Sequence, residues 1–240
     1  MKNFELKTFA NDLELAQAAA REWLALLEED RLSNLDHLVA LSGGRITKTF
    51  FSQIVAQGKS RPELFSKVHF FWTDERCVPP NDPESNFLMA DQLLFQPLKI
   101  APEKIHRLRG EIDPVAAVAE ANAKISRLAP KNSAGLPVLD SILLGMGPDG
   151  HIASLFPNAS EEIIQSQSAY LAIDNSPKPP PRRITLTFAA IAAAKQVWLL
   201  ASGEGKEKAF AESLAPDGQT PVARVLHARA HTKIFSDVHV

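Results

Sequence analysis

The loop between residues 145 and 157 carries the side chains best suited to proton chemistry. It reads Gly-Met-Gly-Pro-Asp-Gly-His-Ile-Ala-Ser-Leu-Phe-Pro and follows the apolar run 141–144. The imidazole of His151 ionises near neutral pH, which suits it to general acid–base catalysis. Asp149 lies two residues earlier, where its carboxylate can fix the tautomer of the ring or stabilise its charged form. We therefore expect His151, together with Asp149, to carry the catalytic step.

The same loop satisfies the pattern G-x-G-x-x-G through Gly145, Gly147 and Gly150, which is typical of dinucleotide-binding sites. Three features argue against that interpretation. Asp149 would set a carboxylate against the pyrophosphate, Pro157 arrives too soon for a long helix, and the pattern lies late in the chain. A bare NAD-binding domain is therefore a distant alternative, which titration with a nicotinamide cofactor would test.

A second glycine-rich loop, Ser42-Gly43-Gly44, follows the apolar run 38–41 and precedes a predicted helix. Glycines at such a turn leave backbone N–H groups open to a ligand, and a helix N-terminus favours negative charge. The hydroxyl groups of Ser42 and Thr47 add further donors, so the segment predicts a phosphate cradle. A short glycine motif also occurs in ordinary strand-to-helix turns, which leaves a purely structural interpretation open.

Three basic residues stand where a phosphate would need countercharge. Arg76 follows two carboxylates at the end of the apolar run 68–72, and its planar guanidinium suits bidentate contact with phosphate oxygens. Arg183 and Lys206 lie beside later predicted strands. Each of the three is also compatible with a solvated surface position, so they are candidates for phosphate binding on residue type alone.

Metal and serine-nucleophile chemistry fit the sequence poorly. No His or Cys pair has the spacing of a structural zinc site, and the motifs H-E-x-x-H and G-x-S-x-G are absent. We predict no metal site and assign no function to the histidines other than His151. Cys77, the single cysteine, is interpreted as a packing residue.

Apolar runs and helical periodicities alternate along the chain. The runs 38–41, 68–72, 141–144 and 197–201 are apolar on successive residues, as expected of strands covered on both faces. Helices are predicted from a cap at Asp12, over 114–130, over 87–95 after Ser85 and Asn86, after Gly203, and over 220–227. A further strand is expected at 184–188, after a proline-rich surface crossing at 176–181. The pattern predicts a Rossmann-like α/β fold with a mainly parallel sheet flanked by helices, in a single domain over 1–240.

Composition and charge limit the classes of partner that the protein can bind. The 26 Lys and Arg residues nearly balance the 28 Asp and Glu residues, for a formal net charge of −2. No global basic field attracts nucleic acid or an anionic membrane, and no obligate protein partner is evident. The lone cysteine fits a reducing compartment, and the N-terminal residues lack the pattern of a signal peptide. We therefore expect a cytoplasmic protein with a small-molecule substrate.

Together these motifs resemble one family. In chain order they are Ser42-Gly43-Gly44, Asp74-Glu75-Arg76 with Ser85-Asn86, the 145–157 loop, Arg183-Ile-Thr-Leu-Thr187 and Gly203-Glu-Gly-Lys206. Their types and order are similar to those of the 6-phosphogluconolactonases, which share a superfamily with the glucosamine-6-phosphate deaminases. The resemblance runs from about residue 35 to the C-terminus, and the 145–157 loop is its most specific part.

The resemblance implies hydrolysis of a sugar-phosphate lactone, 6-phospho-D-glucono-1,5-lactone, to 6-phosphogluconate in the oxidative pentose phosphate pathway. It implies no metal or organic cofactor. It also implies the general acid–base role for His151. The phosphate contacts fall to the Ser42-Gly43-Gly44 loop, to Arg76 and to Lys206, with Arg183 as a weaker candidate.

The chain departs from the family pattern at Lys48. The family usually continues Ser-Gly-Gly-x-Thr-Pro, whereas Lys48 follows Thr47 here. A proline suits the start of a helix but is not required there, and the lysine adds local positive charge.

Two other classes of function compete with this one. A deaminase or isomerase of the same superfamily typically has an aromatic residue after Asp-Glu and ends the histidine motif with Asn-Glu-Pro. Here Arg76 and Leu155-Phe156-Pro157 occupy those places, and a phenyl ring transfers no proton. A non-catalytic sugar-phosphate sensor is the other alternative. It would need no acid–base histidine, and no helix-turn-helix segment is predicted before residue 36.

Overall fold

The computed structural model describes residues 3–239 and arranges their strands in two sheets. The strands are β1 (Glu5–Thr8), β2 (His37–Leu41), β3 (Val68–Trp72), β4 (Asp74–Arg76), β5 (Ser141–Gly145), β6 (Tyr170–Ile173), β7 (Arg183–Leu186), β8 (Gln196–Ala201) and β9 (Lys233–Ser236). The larger sheet has the order β1-β9-β8-β5-β2-β3, and all its neighbouring strands are parallel. The smaller sheet, β4-β7-β6, is antiparallel. The predicted mainly parallel α/β class is confirmed.

Helices connect and flank these strands. They are α1 (Asp12–Leu32), α2 (Arg45–Gly58), α3 (Asn86–Ala90), α4 (Gln96–Leu98), α5 (Pro114–Leu128), α6 (Glu161–Gln165), α7 (Phe188–Ala193), α8 (Glu207–Leu214) and α9 (Pro221–Ala228). A π-helical turn at Asp91–Phe95 joins α3 to α4. Within residues 3–239, no helix combines the length and the apolar composition that crossing a bilayer requires.

The four predicted apolar runs are strands of the larger sheet, because each of them is covered on both faces. Every residue of β2 is buried, and β5 and β8 are buried except at one end. Trp23 on α1 and Phe50 on α2 pack against each other and are fully buried. Burial of side chains of this size contributes about 2–3 kcal/mol each, so these helix–sheet contacts hold the strand ends in place.

Several predicted boundaries differ from the structure, two of them at helix caps. Helix α1 is capped by Asn11, whose side chain accepts a hydrogen bond from the Glu14 N–H at 2.9 Å, and Asp12 already lies in the first turn. The acidic Asp12 is favourable there because the helix dipole attracts negative charge. The strand predicted at 184–188 ends at Leu186, because Thr187 caps α7 through a 3.0 Å bond from the Ala190 N–H.

The smaller sheet was not predicted, and it brings Arg76 and Arg183 together. Its register places these two residues opposite each other on β4 and β7. Thr73 joins the two sheets: its N–H donates to Leu41 at 2.8 Å, and its carbonyl accepts from Leu186 at 2.7 Å. The signal was hard to see in the sequence because β4 is only three residues long.

A buried polar chain ties α1 to β2 and β5. His37 contacts Asp30 through Nδ1 at 2.6 Å and Ser141 through Nε2 at 2.7 Å. The indole N–H of Trp23 also donates to the Ser141 hydroxyl, at 3.3 Å. Because Ser141 is fully buried and His37 is only 2% exposed, we interpret the chain as a structural link between elements.

His69, on β3, pairs with His106. His69 Nδ1 and His106 Nε2 are 2.8 Å apart, and the planes of the two rings are nearly parallel. Burial, the neighbouring His69 and the positive charges of Lys124, Lys104 and Arg127 lower the pKa of His106 to about 4. The fold therefore requires a neutral imidazole at this position.

We predict that acid destabilises the protein partly through His106. An unfolded histidine binds its proton near pH 6.5, whereas the folded His106 resists protonation down to about pH 4. Stability is therefore lost as the pH falls through this window, by about 1–2 kcal/mol after allowance for the half-exposed ring. Urea unfolding at pH 7 and pH 5 measures this slope, which His106→Leu should reduce. The exposed His227→Leu serves as control, and an equal slope in the two variants would contradict the prediction.

Candidate active site

A cavity of about 140 Å³ opens at the carboxyl ends of the parallel strands. The loops that follow β2, β5 and β8 line it, together with β4 and the first residue of β7. This is the edge where parallel α/β sheets bind their ligands, because the strand-to-loop junctions of neighbouring strands converge there. All the glycine-rich motifs of the sequence analysis therefore lie around one space.

His151 and Asp149 form a hydrogen-bonded pair at the cavity. The ring Nδ1 contacts Asp149 Oδ1, and the imidazole packs 4.7 Å from the ring of Phe156. The loop closes on itself through a 2.9 Å bond from the Gly147 N–H to the His151 carbonyl. A carboxylate only accepts hydrogen bonds, so Nδ1 carries the proton and donates it to Asp149. In the neutral ring, Nε2 is then left free to accept a proton.

Lys178 also reaches this pair. Its ammonium lies 3.3 Å from His151 Nδ1 and 3.6 Å from Asp149 Oδ1. Because Nδ1 is already a donor, the ammonium acts on the pair through its charge and through the carboxylate. Lys178 was not predicted from the sequence, because it belongs to the proline-rich segment 176–181, which was interpreted as a surface crossing. Its position between two prolines gives no sign of a contact with a loop 27 residues away.

The charges around the pair set its protonation. Burial lowers the pKa of His151, and the hydrogen bond and charge of Asp149 oppose that shift. Lys178 lowers the pKa further, while Asp74 raises it. Burial alone would raise the pKa of Asp149, but the hydrogen bond and charge of His151, with the charge of Lys178, outweigh it and lower that pKa. The ground state at neutral pH is therefore a neutral imidazole beside an ionised carboxylate.

Asp74 connects the site to its surroundings. Its carboxylate accepts a 2.6 Å hydrogen bond from the Ser154 hydroxyl and a 3.3 Å bond from the Asn86 amide. Arg183 lies 3.8 Å away on the same side. Asp74 is only 5% exposed, so these neighbours provide the polar contacts that a buried carboxylate needs.

Glu75 and Arg76 have separate roles. The buried Glu75 accepts bonds from the N–H groups of Asn86 and Phe87, both at 2.8 Å, and so holds the start of α3. Burial raises the pKa of Glu75, and these hydrogen bonds oppose the shift. Arg76 lines the cavity, and its Nη1 donates to the Glu84 carbonyl at 2.6 Å. Its Nε is buried and has no partner among the described residues.

The opposite side of the cavity is rich in unpaired donors. Helix α2 starts after Gly44, which adopts a φ of 101°, and no side chain caps its first turn. Its first N–H groups are therefore open, as at other anion-binding helix ends. Lys206 lines the same side, and burial, followed by the charge of Arg45, lowers the pKa of its ammonium. An anion fits this side of the cavity.

Three predicted residues are placed differently from the rest. The hydroxyl of Thr47 donates to the Gly43 carbonyl at 2.9 Å and does not line the cavity. Ser42 lines it, but its hydroxyl already contacts that of Thr73 at 2.7 Å. Arg183 lines it as well, with its guanidinium bonded to the carbonyls of residues 178, 179 and 180. The structure thus gives Thr47 and Arg183 local partners in the protein.

Several residues that line the cavity, or that contact its lining, were not predicted from the sequence. These are Arg45, Asp74, Asn86, Met146, Ala153, Ser154, Lys178 and Ser202. Most of them lie next to an assigned motif, but their roles depend on contacts between distant segments. No cluster of three or more His, Cys, Asp or Glu side chains suited to a metal ion occurs in residues 3–239.

The fold and site define a class of protein: a mainly parallel α/β protein with a histidine–carboxylate pair at a cavity that basic side chains also line. A sequence model described as "Glucosamine-6-phosphate isomerases/6-phosphogluconolactonase" matches residues 10–235. The chain belongs to this family.

Three similar proteins carry the second of the two names in that description. A 6-phosphogluconolactonase from Streptomyces coelicolor is 35% identical over 217 residues, which cover 87% of this chain and 83% of the relative. One from Mycobacterium tuberculosis is 40% identical over 193 residues, or 78% and 75% of the two chains. The solved structure of 6-phosphogluconolactonase from Trypanosoma brucei has a TM-score of 0.87 at 25% identity, and covers 98% of this chain and 97% of that one.

We predict that Gly147→Ala displaces the His151 ring. A Cβ added at Gly147 would overlap the imidazole, whereas one at Gly145 would meet only the Gly43 carbonyl at 3.7 Å. Gly145→Ala is therefore the matched control in the same loop. NMR of the labelled imidazole should show loss of the Nδ1–H hydrogen bond to Asp149 in the first variant alone. Retention of that bond in Gly147→Ala would show that the loop does not fix the ring as described.

Proposed function

We propose that this protein hydrolyses 6-phospho-D-glucono-1,5-lactone to 6-phosphogluconate, the lactone-opening step of the oxidative pentose phosphate pathway. One observation carries the proposal: a neutral imidazole, with its Nδ1–H bonded to a carboxylate, faces a cavity whose other side is cationic. The similarity to relatives named 6-phosphogluconolactonase supports the choice of substrate.

His151 acts first as a general base. A lactone is an ester held in a ring, and water needs only the loss of a proton to attack its carbonyl carbon. Nε2 of the neutral His151 accepts that proton as the new C–O bond forms at C1. Asp149 holds the tautomer that keeps Nε2 unprotonated and stabilises the imidazolium that results.

His151 then acts as a general acid. When the tetrahedral intermediate collapses, the bond between C1 and the ring oxygen breaks, and the imidazolium returns its proton to that oxygen. The products are one carboxylic acid and one hydroxyl group on the same open chain. The acid ionises at neutral pH, so each turnover releases one proton to solvent and restores the neutral His151.

The cationic side of the cavity orients the substrate. We assign the phosphate to the open N–H groups of α2 at Gly44, to Lys206 and to Arg76. Because the phosphate is remote from C1, holding it directs the carbonyl carbon toward Nε2 and contributes to rate as well as affinity. Arg183 supports the site by binding the carbonyls of the segment that carries Lys178.

The place of the deaminase's acidic residue favours the lactonase over the superfamily's other reaction. Phe156 occupies that place in the loop, and its ring packs on His151 at 4.7 Å. A phenyl ring supplies no second proton-transfer group, whereas lactone hydrolysis needs only one.

We also propose a cytoplasmic location. Cys77 is free and half-buried, and the chain holds no other cysteine, which suits a reducing compartment. Plant relatives named as chloroplastic show that the family is not confined to one compartment.

The decisive experiment is acid release from freshly made 6-phosphogluconolactone, corrected for spontaneous hydrolysis. We expect the wild type to be active, and His151→Ala to lose activity by about 10² to 10⁴-fold, the usual contribution of a general acid–base. The exposed His231→Ala should keep full activity. Turnover retained by a folded His151→Ala would remove the mechanism, and absence of turnover in the wild type with tight binding of 6-phosphogluconate would support a sensor instead.

The acid limb of the pH profile should report on His151. Only the neutral ring is a base, so kcat falls as His151 becomes protonated, with a midpoint below pH 6.5 because its pKa is lowered. Lys178→Met removes a cation that lowers this pKa, so the midpoint should move to higher pH. The substrate phosphate also ionises near pH 6, but identically for both proteins. No shift, or a shift to lower pH, would show that Lys178 does not act on the ring; the exposed Lys131→Met is the control.

A further inference from the structure

Arg45 is a cation of the cavity for which neither the motifs nor the proposed mechanism supplies a role. It is the first residue of α2, directly after Gly44, and it lines the cavity together with Lys206. Its side chain extends across to the loop that follows β8, where the guanidinium lies on Gly203. A Cβ at Gly203 would overlap that guanidinium. The absence of a side chain at Gly203 therefore provides the space in which Arg45 lies.

The charge of Arg45 has no partner of opposite charge in the part of the chain that the structure describes. Within residues 3–239, its guanidinium has no carboxylate in ion-pair range and no hydrogen-bond acceptor. Asp237, whose charge acts on Lys206, is engaged by the Ser202 hydroxyl at 2.8 Å and by the Gly203 N–H at 3.0 Å. Two neighbouring cations thus face one cavity with no anion between them.

The like charges of Arg45 and Lys206 repel each other. After burial, the charge of Arg45 is the largest cause that lowers the pKa of Lys206. A dianion between two such cations would relieve their repulsion and attract both. A monoanion or a neutral hydroxyl group would gain much less, so the pair discriminates by ligand charge.

We propose that Arg45 determines the specificity of the site for a phosphate dianion, by bridging the N-terminus of α2 and the loop after β8 through the bound phosphate. This inference rests on the proposed function. It adds one residue to the proposed site, Arg45, and states that the site selects its ligands by their charge. Because the guanidinium is planar and presents paired donors, it can bind two phosphate oxygens while it still lies on Gly203.

The same geometry determines which kinetic constant should change. The phosphate does not alter during hydrolysis of the lactone, so an interaction with it is equally strong in the ground and transition states. Loss of one of several such contacts therefore raises KM and leaves kcat nearly unchanged, because the remaining contacts still hold the phosphate and orient C1 toward His151. A change in His151 or Asp149 would instead lower kcat, so the two sides of the cavity are separable by kinetics.

Lys48 offers a matched control. Like Arg45, it lies in the first turn of α2 and is exposed, but unlike Arg45 it does not line the cavity. Arg45→Gln and Lys48→Gln therefore remove the same charge from the same helix end. We expect Arg45→Gln to raise KM for 6-phosphogluconolactone by about tenfold or more with kcat within about threefold, the loss typical of one charge-assisted contact. Lys48→Gln should change KM by less than about twofold, because its charge lies outside the cavity and solvent screens it from the phosphate.

Arg45→Lys tests the geometry separately from the charge. A lysine keeps the positive charge but lacks the planar fork, so it should restore only part of the affinity. Full restoration would show that charge alone matters and would overturn the bridging role. Equal effects of Arg45→Gln and Lys48→Gln would overturn the proposal in favour of a general field.

Direct binding separates this inference from the proposed function. Calorimetric titration with 6-phosphogluconate and with gluconate needs no turnover. We expect Arg45→Gln to weaken 6-phosphogluconate by about tenfold or more, the loss typical of one charge-assisted contact, and to leave gluconate unaffected. If this result is obtained and the wild type has no lactonase activity, the role of Arg45 in phosphate binding is upheld and the proposed reaction is rejected. If Arg45→Gln binds 6-phosphogluconate as tightly as the wild type, and the wild type is an active lactonase, the role of Arg45 is rejected and the proposed reaction is upheld.

Discussion

The carboxylate of Asp74 is the contact on which the arrangement of the site depends. It begins β4, is nearly inaccessible to solvent, and accepts hydrogen bonds from the 145–157 loop through Ser154 and from α3 through Asn86. Arg183 faces it from the smaller sheet. Four segments that are distant in sequence thus meet at one buried charge. Loss of a hydrogen-bond partner from a buried polar group typically costs about 1–3 kcal/mol, and more when the group is charged, so these contacts hold the segments in one arrangement.

The two sides of the cavity differ in charge. On one side, burial keeps the His151 ring neutral while Asp149 fixes its tautomer, and Lys178 acts from behind the pair. On the other side, Lys206 faces the cavity beside the uncapped end of α2. Proton transfer needs a neutral, oriented ring, whereas phosphate binding needs uncompensated positive charge. One cavity contains an oriented imidazole and, within the described part of the chain, unpaired basic side chains because loops after different strands supply them.

The sequence predicts the parts of this protein that depend on local pattern. Continuous apolar runs identify β2, β3, β5 and β8, and the rule that ligands bind at strand ends places His151 and the Ser42-Gly43-Gly44 loop at one edge. The contacts of Lys178, Asn86 and Arg45 join residues far apart in the chain, so no local pattern shows them. The same is true of the smaller sheet, whose strands are only three or four residues long.

The hydrogen-bonded series Asp30–His37–Ser141 matters when active sites are identified from the distances between side-chain atoms. Its contacts of 2.6 and 2.7 Å are those of a serine hydrolase triad, and a search of coordinates for that geometry would select it ahead of His151. Yet a fluorophosphonate reagent has no route to Ser141, which is fully buried beneath α1. Inter-atomic distances alone therefore pick out the wrong histidine in this fold. Access from solvent decides which carboxylate-bound imidazole meets a substrate.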